Sequence, residues 1–179
     1  MLNRLPKSQA ILQVYAVIAV MLSAWTITSF LWKLSAWLLV LNLGEILTVF
    51  SYAMVTNLIE SLIVLFSLLL ICILLPARLF RDEFAARGVI LSAGLIGSMM
   101  LYMKLYIIFG LGSAIHLLIY PIILWLITTF LLVFSSRLRF VRAVESVLLW
   151  ISDRLVVFLY ILIPLYAIVL VYVLFRNIA

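Results

Sequence analysis

The stretch from 155 to 175 reads LVVFLYILIPLYAIVLVYVLF and contains no charged residue. A helix of about 20 apolar residues is long enough to cross the ~30 Å hydrocarbon core of a bilayer. The stretch shows no period-2 alternation, and a helix satisfies all of its backbone hydrogen bonds within one segment, as lipid requires. It therefore predicts a transmembrane helix, with Pro164 as the expected position of a kink.

The composition of the whole chain extends this conclusion. Of the 179 residues, 69% are hydrophobic and 10% are charged, whereas about 25% are charged in ordinary soluble domains. The net charge of +6 does not indicate nucleic-acid binding, because the basic residues form short clusters between apolar runs, which is the pattern of membrane orientation. We therefore expect a membrane protein with no aqueous domain.

A hydropathy reading of the remaining sequence adds four runs of similar length. We predict an all-α integral membrane protein, a single domain over 1–179 with five transmembrane helices. The predicted spans lie at about 10–32, 57–75, 88–109, 113–134 and 155–175. Arg4 and Lys7 precede the first span as they would in a signal peptide, but the apolar run is too long for one, which predicts a retained first span.

The segment 34–56 is harder to assign, because it is apolar but contains Asn42, Gly44 and Glu45. Tryptophans at its start are typical of a membrane interface. We predict an additional interfacial helix on the outer leaflet, or a re-entrant helix broken near Asn42, which protein or water would have to surround. A full crossing is the other alternative, and it would move the N-terminus to the outer side.

Basic residues predict the orientation of the chain in the cell membrane. With five spans, the loops 76–87 and 135–154 and the N-terminus lie on one side and contain nine of the 12 basic residues. The rule that basic loops stay inside makes both loops cytoplasmic. The second loop also has the pattern of an in-plane amphipathic helix, with an ordinary connector as the alternative.

Charged and polar residues within spans are candidate functional residues, because ionisable groups in a membrane usually face a partner or a cavity. Counted from the predicted span ends, Glu60, Lys104 and His116 lie at similar depth in the outer leaflet. They form a candidate polar site for a ligand or a proton. The alternative is that Glu60 and Lys104 form a structural ion pair or extend separately toward the headgroups.

The third span has a face of small residues that includes Gly94, Gly97 and Ser98. Small residues allow helix backbones to approach closely in lipid. We expect this face to pack against another span of the same chain or against a partner.

The sequence contains no complete catalytic, cofactor or metal signature, and its single histidine and single cysteine exclude sites built from several such ligands. We expect a non-enzymatic membrane subunit that packs against a larger membrane complex or against copies of itself. The expected partners are the lipid bilayer and other membrane subunits, with no nucleic acid and no cofactor. A small transporter, or a substrate-binding membrane component using the polar site, is the alternative; a membrane enzyme is a more distant one.

Overall fold

The computed structural model describes residues 6–74, 84–109, 119, 122–123, 126–127 and 139–178, without the side chains of 108–109 and 139–145. Within these ranges it is all-helical, with four helices long and apolar enough to cross a membrane. The helices are α1 (Ser8–Trp37), α2 (Leu43–Leu74), α3 (Phe84–Phe109) and α4 (Arg139–Ile178). The remaining predicted span, 113–134, lies outside the continuously described ranges.

The helices form a bundle in which α1 and α4 pack together at the centre. Helix α2 lies against one side of this pair and α3 against the other, so α2 and α3 hardly touch. Contacts of Gln13 with Asp153 and of Ser23 with Tyr166 show that α1 and α4 run in the same direction. Helix α2 runs in the opposite direction.

Helix α3 also runs parallel to α1. Near the start of α3, Gly88 lies beside Val14, and further along, Gly97 lies beside Met21. The N-terminal ends of α1, α3 and α4 therefore lie at one end of the bundle, which we call the start end. The turn between α1 and α2 lies at the other end, the turn end.

The core lies around the N-terminal half of α1, where Val14 and Ala16 to Ala19 are all buried. The segment from Val14 to Ala19 is apolar apart from the Tyr15 hydroxyl, as expected where a helix is covered on several sides. Side chains of α2 and α3 pack around Val14, Val17 and Ile18, and side chains of α2 and α4 pack around Ala16 and Ala19. The small side chains Ala16 and Ala19 allow α4 to approach α1, which is how helices in lipid increase their packing contacts.

Helix α2 begins with a capping box, in which two residues three apart satisfy each other's free backbone N–H groups. The backbone N–H of Glu45 donates to the Asn42 side-chain oxygen at 2.9 Å. The N–H of Asn42 donates in return to the Glu45 carboxylate at 2.9 Å. The two residues thus mark where a helix starts.

This start changes the assignment of 34–56, and a separate outer-leaflet or re-entrant helix is not confirmed. Residues 34–37 complete α1, residues 38–42 form a turn, and residues 43–56 are the first part of one continuous helix of 32 residues. The polar residues that suggested a break instead cap a helix. Similarly, residues 139–154 form no separate in-plane helix, because they belong to the 40-residue α4, which Pro164 does not interrupt.

Candidate functional site

Glu60 lies near the middle of α2, about 25 Å along the helix from Leu43 and about 21 Å from Leu74 at 1.5 Å per residue. Its side chain is exposed. It belongs to a face of α2 that points away from α1 and α4 and is otherwise mostly apolar. We call it the Glu60 face; its exposed members are Thr56, Ile59, Glu60, Ile63 and Phe66. Below Glu60 this side of α2 also borders a shallow groove of about 460 Å³.

Within the described part of the chain, Glu60 has no ion-pair or hydrogen-bond partner. Carboxylates accept hydrogen bonds readily, and an unpaired carboxylate is costly in hydrocarbon. The arrangement can therefore accept a proton, or a hydrogen bond or ion pair from another molecule.

Lys104 lies on α3 and borders a half-open groove of about 400 Å³ between α1 and α3. We call this the Lys104 groove. Its lining residues are Trp25, Thr28, Ser29, Trp32, Lys104 and Ile107. Most of the lining is apolar, so Lys104 is a single cation at the edge of a largely apolar groove.

The structure does not bring Glu60 and Lys104 together. They lie on helices at opposite sides of the central pair. Asn57, one turn before Glu60, contacts Ser23 and Thr26 of α1. Lys104 lies beside the later part of α1, from Trp25 to Trp32. Measured along the α1 axis, the two charged residues are therefore roughly 12 Å apart. His116 lies outside the described residues, and the three-residue polar site stays a prediction.

The small-residue face of α3 lies partly against α1. A Cβ added at Gly97 would be 3.5 Å from the Met21 side chain, an ordinary contact. Gly94 and Ser98 are half-buried, and the Ser98 hydroxyl donates to the Leu95 carbonyl. Contacts within the chain therefore use part of this face.

A polar network between α1, α2 and α4 is the feature that sequence reasoning missed. The hydroxyls of Ser23 and Tyr166 are 2.8 Å apart. The Asn57 amide nitrogen donates to the hydroxyls of Ser23 and Thr26, both at 3.3 Å. The Asn57 side-chain oxygen is buried and has no hydrogen-bond partner among the described residues. Ser23 and Thr26 are three residues apart in an apolar run, which is a weak signal for one polar face.

A second group of polar contacts joins α2 to α4 near the turn end. The Tyr172 and Thr48 hydroxyls are 3.0 Å apart, and Arg176 donates to both. Nearby, the Tyr52 hydroxyl donates to the Asn177 side-chain oxygen at 2.9 Å. These contacts place Arg176 at the edge of the bundle and fix the end of α4 against α2.

Neither the network around Ser23 nor the contacts around Tyr172 form a metal site, since the described residues include no cluster of three His, Cys, Asp or Glu side chains. No protein-family model, curated protein or solved structure matches the chain. Function is therefore inferred from Glu60, Lys104 and the helix faces that carry them.

Proposed function

We propose that this chain is a non-enzymatic, multi-pass membrane subunit that binds a partner helix through the Glu60 face of α2. The observation that carries the proposal is an exposed carboxyl group near the middle of an apolar helix. Its neighbours on the face are large apolar side chains, with Ile63 59% and Phe66 68% exposed. Together they form a mostly apolar surface with one carboxyl group at its centre.

The cost of exposing a charge to lipid supports this proposal. An acidic residue near the bilayer centre costs about 2.5 to 3.5 kcal/mol on insertion scales, and such residues usually face protein or water. A partner helix with a hydrogen-bond donor or a cation opposite Glu60 would remove that cost. The partner is a larger membrane complex or a second copy, in which two Glu60 carboxyls would have to share a proton.

The direction of the helices supports five crossings in the cell membrane. Helices α3 and α4 run in the same direction, which is compatible with the predicted span 113–134 as a further crossing between them. Among the described residues, five basic ones lie toward the start end and three toward the turn end. The five are Lys7, Arg87, Arg139, Arg142 and Arg154, and the three are Lys33, Lys104 and Arg176. The positive-inside rule then makes the start end cytoplasmic, with the basic segments 76–87 and 135–154 on that side.

The transporter alternative has less support. A transport site built from Glu60 and Lys104 would need both residues to border one cavity. The groove beside Lys104 is bordered by α1 and α3 residues, and Glu60 lies on the far side of α1. Partner binding at the Glu60 face explains the exposed carboxyl group without a second charged residue, whereas a transport site requires Lys104 as well.

Photo-crosslinking in native membranes tests the proposal. A photoreactive residue at Ile63 should form a crosslink to one protein partner or to a second copy. Replacing Glu60 by Leu should reduce that crosslink at least fivefold, because the polar contact is lost. The same substitution should leave the stability of the isolated protein in detergent unchanged or raised, since it removes a charge exposed to lipid.

The matched control places the photoreactive residue at Ile161 of α4, which is 66% exposed and lies outside the Glu60 face. This position should crosslink to lipid. Lipid adducts alone at Ile63, or a protein crosslink that does not respond to the loss of Glu60, would contradict the proposal.

A further inference from the structure

We infer that the Lys104 groove binds one anionic phospholipid from the surrounding leaflet, with the lipid phosphate on the Lys104 ammonium group. The groove, at about 400 Å³, is large enough to hold a headgroup and the first part of an acyl chain. This site is independent of a partner at the Glu60 face, which lies on the other side of α1.

Unpaired hydrogen-bond donors favour an anion in this groove. Within the described residues, no carboxylate pairs with Lys104, and the Ser29 hydroxyl has no bonding partner. The Thr28 hydroxyl already donates to the Ala24 carbonyl at 2.6 Å. Lys104 and Ser29 are therefore free to donate to phosphate oxygens, as are the indole N–H groups of the lining tryptophans.

The apolar lining favours a lipid over a soluble anion. Apart from Lys104 and the two hydroxyl groups, the groove is lined by Trp25, Trp32 and Ile107. Such side chains offer no hydrogen bonds to a small hydrated ion except through the indole N–H groups, but they contact an acyl chain well. A phospholipid matches both parts of the groove.

The height of the groove also fits a headgroup. It lies near the turn end of α1, and Trp32 is 67% exposed there. Tryptophans concentrate at the level of lipid headgroups, where one part of the ring is in an apolar environment and the N–H remains near water. The phosphate and Lys104 would then meet at the membrane interface.

The charge of Lys104 predicts which phospholipid is preferred. A zwitterionic lipid carries a choline or ethanolamine cation that gains nothing from a neighbouring ammonium group, whereas an anionic lipid has no such cation. A basic residue near the membrane surface favours anionic lipid by about fivefold in binding. We expect this preference to depend on Lys104.

Fluorescence quenching by brominated lipid tests this inference. A variant keeps Trp25 and Trp32 and has phenylalanine at the other three of the five tryptophans. It is reconstituted in vesicles of dibrominated phosphatidylglycerol mixed with unbrominated phosphatidylcholine, and in vesicles with the bromine on the other lipid. We expect phosphatidylglycerol to be favoured at the groove by about fivefold. Lys104→Met should reduce the ratio to about one, and Lys104→Arg should keep it.

Lys33→Met is the matched control, because Lys33 is an exposed lysine at the same end of the bundle but does not line the groove. It should leave the preference unchanged. Equal loss in the Lys33 and Lys104 variants would show only a general surface-charge effect and would overturn the site. An unchanged preference in Lys104→Met, or no preference in the parent protein, would overturn it as well.

Discussion

At the scale of single residues, the buried hydrogen bonds determine which helices stay together. Ser23 of α1 contacts both Asn57 of α2 and Tyr166 of α4. Apolar contacts between helices distinguish poorly between neighbouring helices and lipid, because both are apolar. The three polar side chains therefore give the bundle specificity, although each hydrogen bond adds only modest stability.

Replacing Tyr166 by Phe removes its hydroxyl from the network and leaves the ring in place. We expect the free energy of unfolding to fall by about 0.6 kcal/mol, and by no more than about 1.7, which is the range for single polar contacts between membrane helices. Unfolding of the protein in mixed micelles by a denaturing detergent measures the change.

Tyr160→Phe is the control, since Tyr160 lies on the same helix but is 76% exposed, compared with 3% for Tyr166. It should leave the unfolding free energy unchanged. Equal effects of the two substitutions would mean that the contact with Ser23 contributes nothing specific.

At the scale of helices, the approach of α3 to α1 depends on one glycine more than on the others. A Cβ at Gly88 would be 2.8 Å from a methyl group of Val14, whereas a Cβ at Gly97 would be 3.5 Å from the flexible end of Met21. Val14 is fully buried and its branched side chain is stiff. It therefore has little freedom to move away.

Gly88→Ala should destabilise the protein in the same unfolding assay. Overpacking in a well-packed core costs about 1 to 3 kcal/mol, which outweighs the better helix propensity of alanine, at most about 1 kcal/mol. Gly97→Ala should be tolerated or slightly stabilising. If Gly88→Ala is as well tolerated as Gly97→Ala, then α3 does not approach α1 closely at Gly88.

The existence of the helices could be predicted from the sequence more reliably than their ends. Hydropathy identifies apolar runs such as 155–175, but it does not show that α4 begins at Arg139 and continues into that run. The start of α2 was predictable, because Asn42 and Glu45 are three residues apart, which is the spacing of a capping box. Interpreting these residues as a break in a membrane segment hid that signal.

The candidate site could be predicted only in part, for a related reason. The depths of Glu60 and Lys104 in the membrane were counted from predicted span ends. Because α3 begins at Phe84 and not at 88, this count assigned the two residues a similar depth. The contact of Ser23 with Tyr166 joins residues 143 positions apart. No local pattern in the sequence indicates which helices become neighbours.

At the scale of the whole molecule, the parallel helices α1, α3 and α4 predict which positions share a side of the membrane. Single cysteines at Gln9 and Arg154 should react with a membrane-impermeant maleimide only after the membrane is permeabilised. Cysteines at Leu39 and Asn177 should react from outside. Cys72, which is buried, is replaced by alanine in all four variants.

Which cysteines react from the same side tests this topology, whichever side of the membrane is the cytoplasmic one. If the orientation is reversed, Gln9 and Arg154 would react from outside and the other two would not, and the parallel arrangement would still hold. Reaction of Gln9 and Leu39 from the same side would contradict the crossing of α1.

The proline in α4 gives this helix a mechanical property that α1, α2 and α3 do not share. Pro164 has no N–H to donate to the carbonyl of Tyr160, so the backbone is one hydrogen bond weaker at that point. The arm from Pro164 to Arg139 is about 37 Å long at 1.5 Å per residue. Bending by about five degrees at this pivot would move the far end of the arm by about 3 Å. A small movement where α4 meets α1 and α2 would thus be amplified into a displacement at the start end of the bundle.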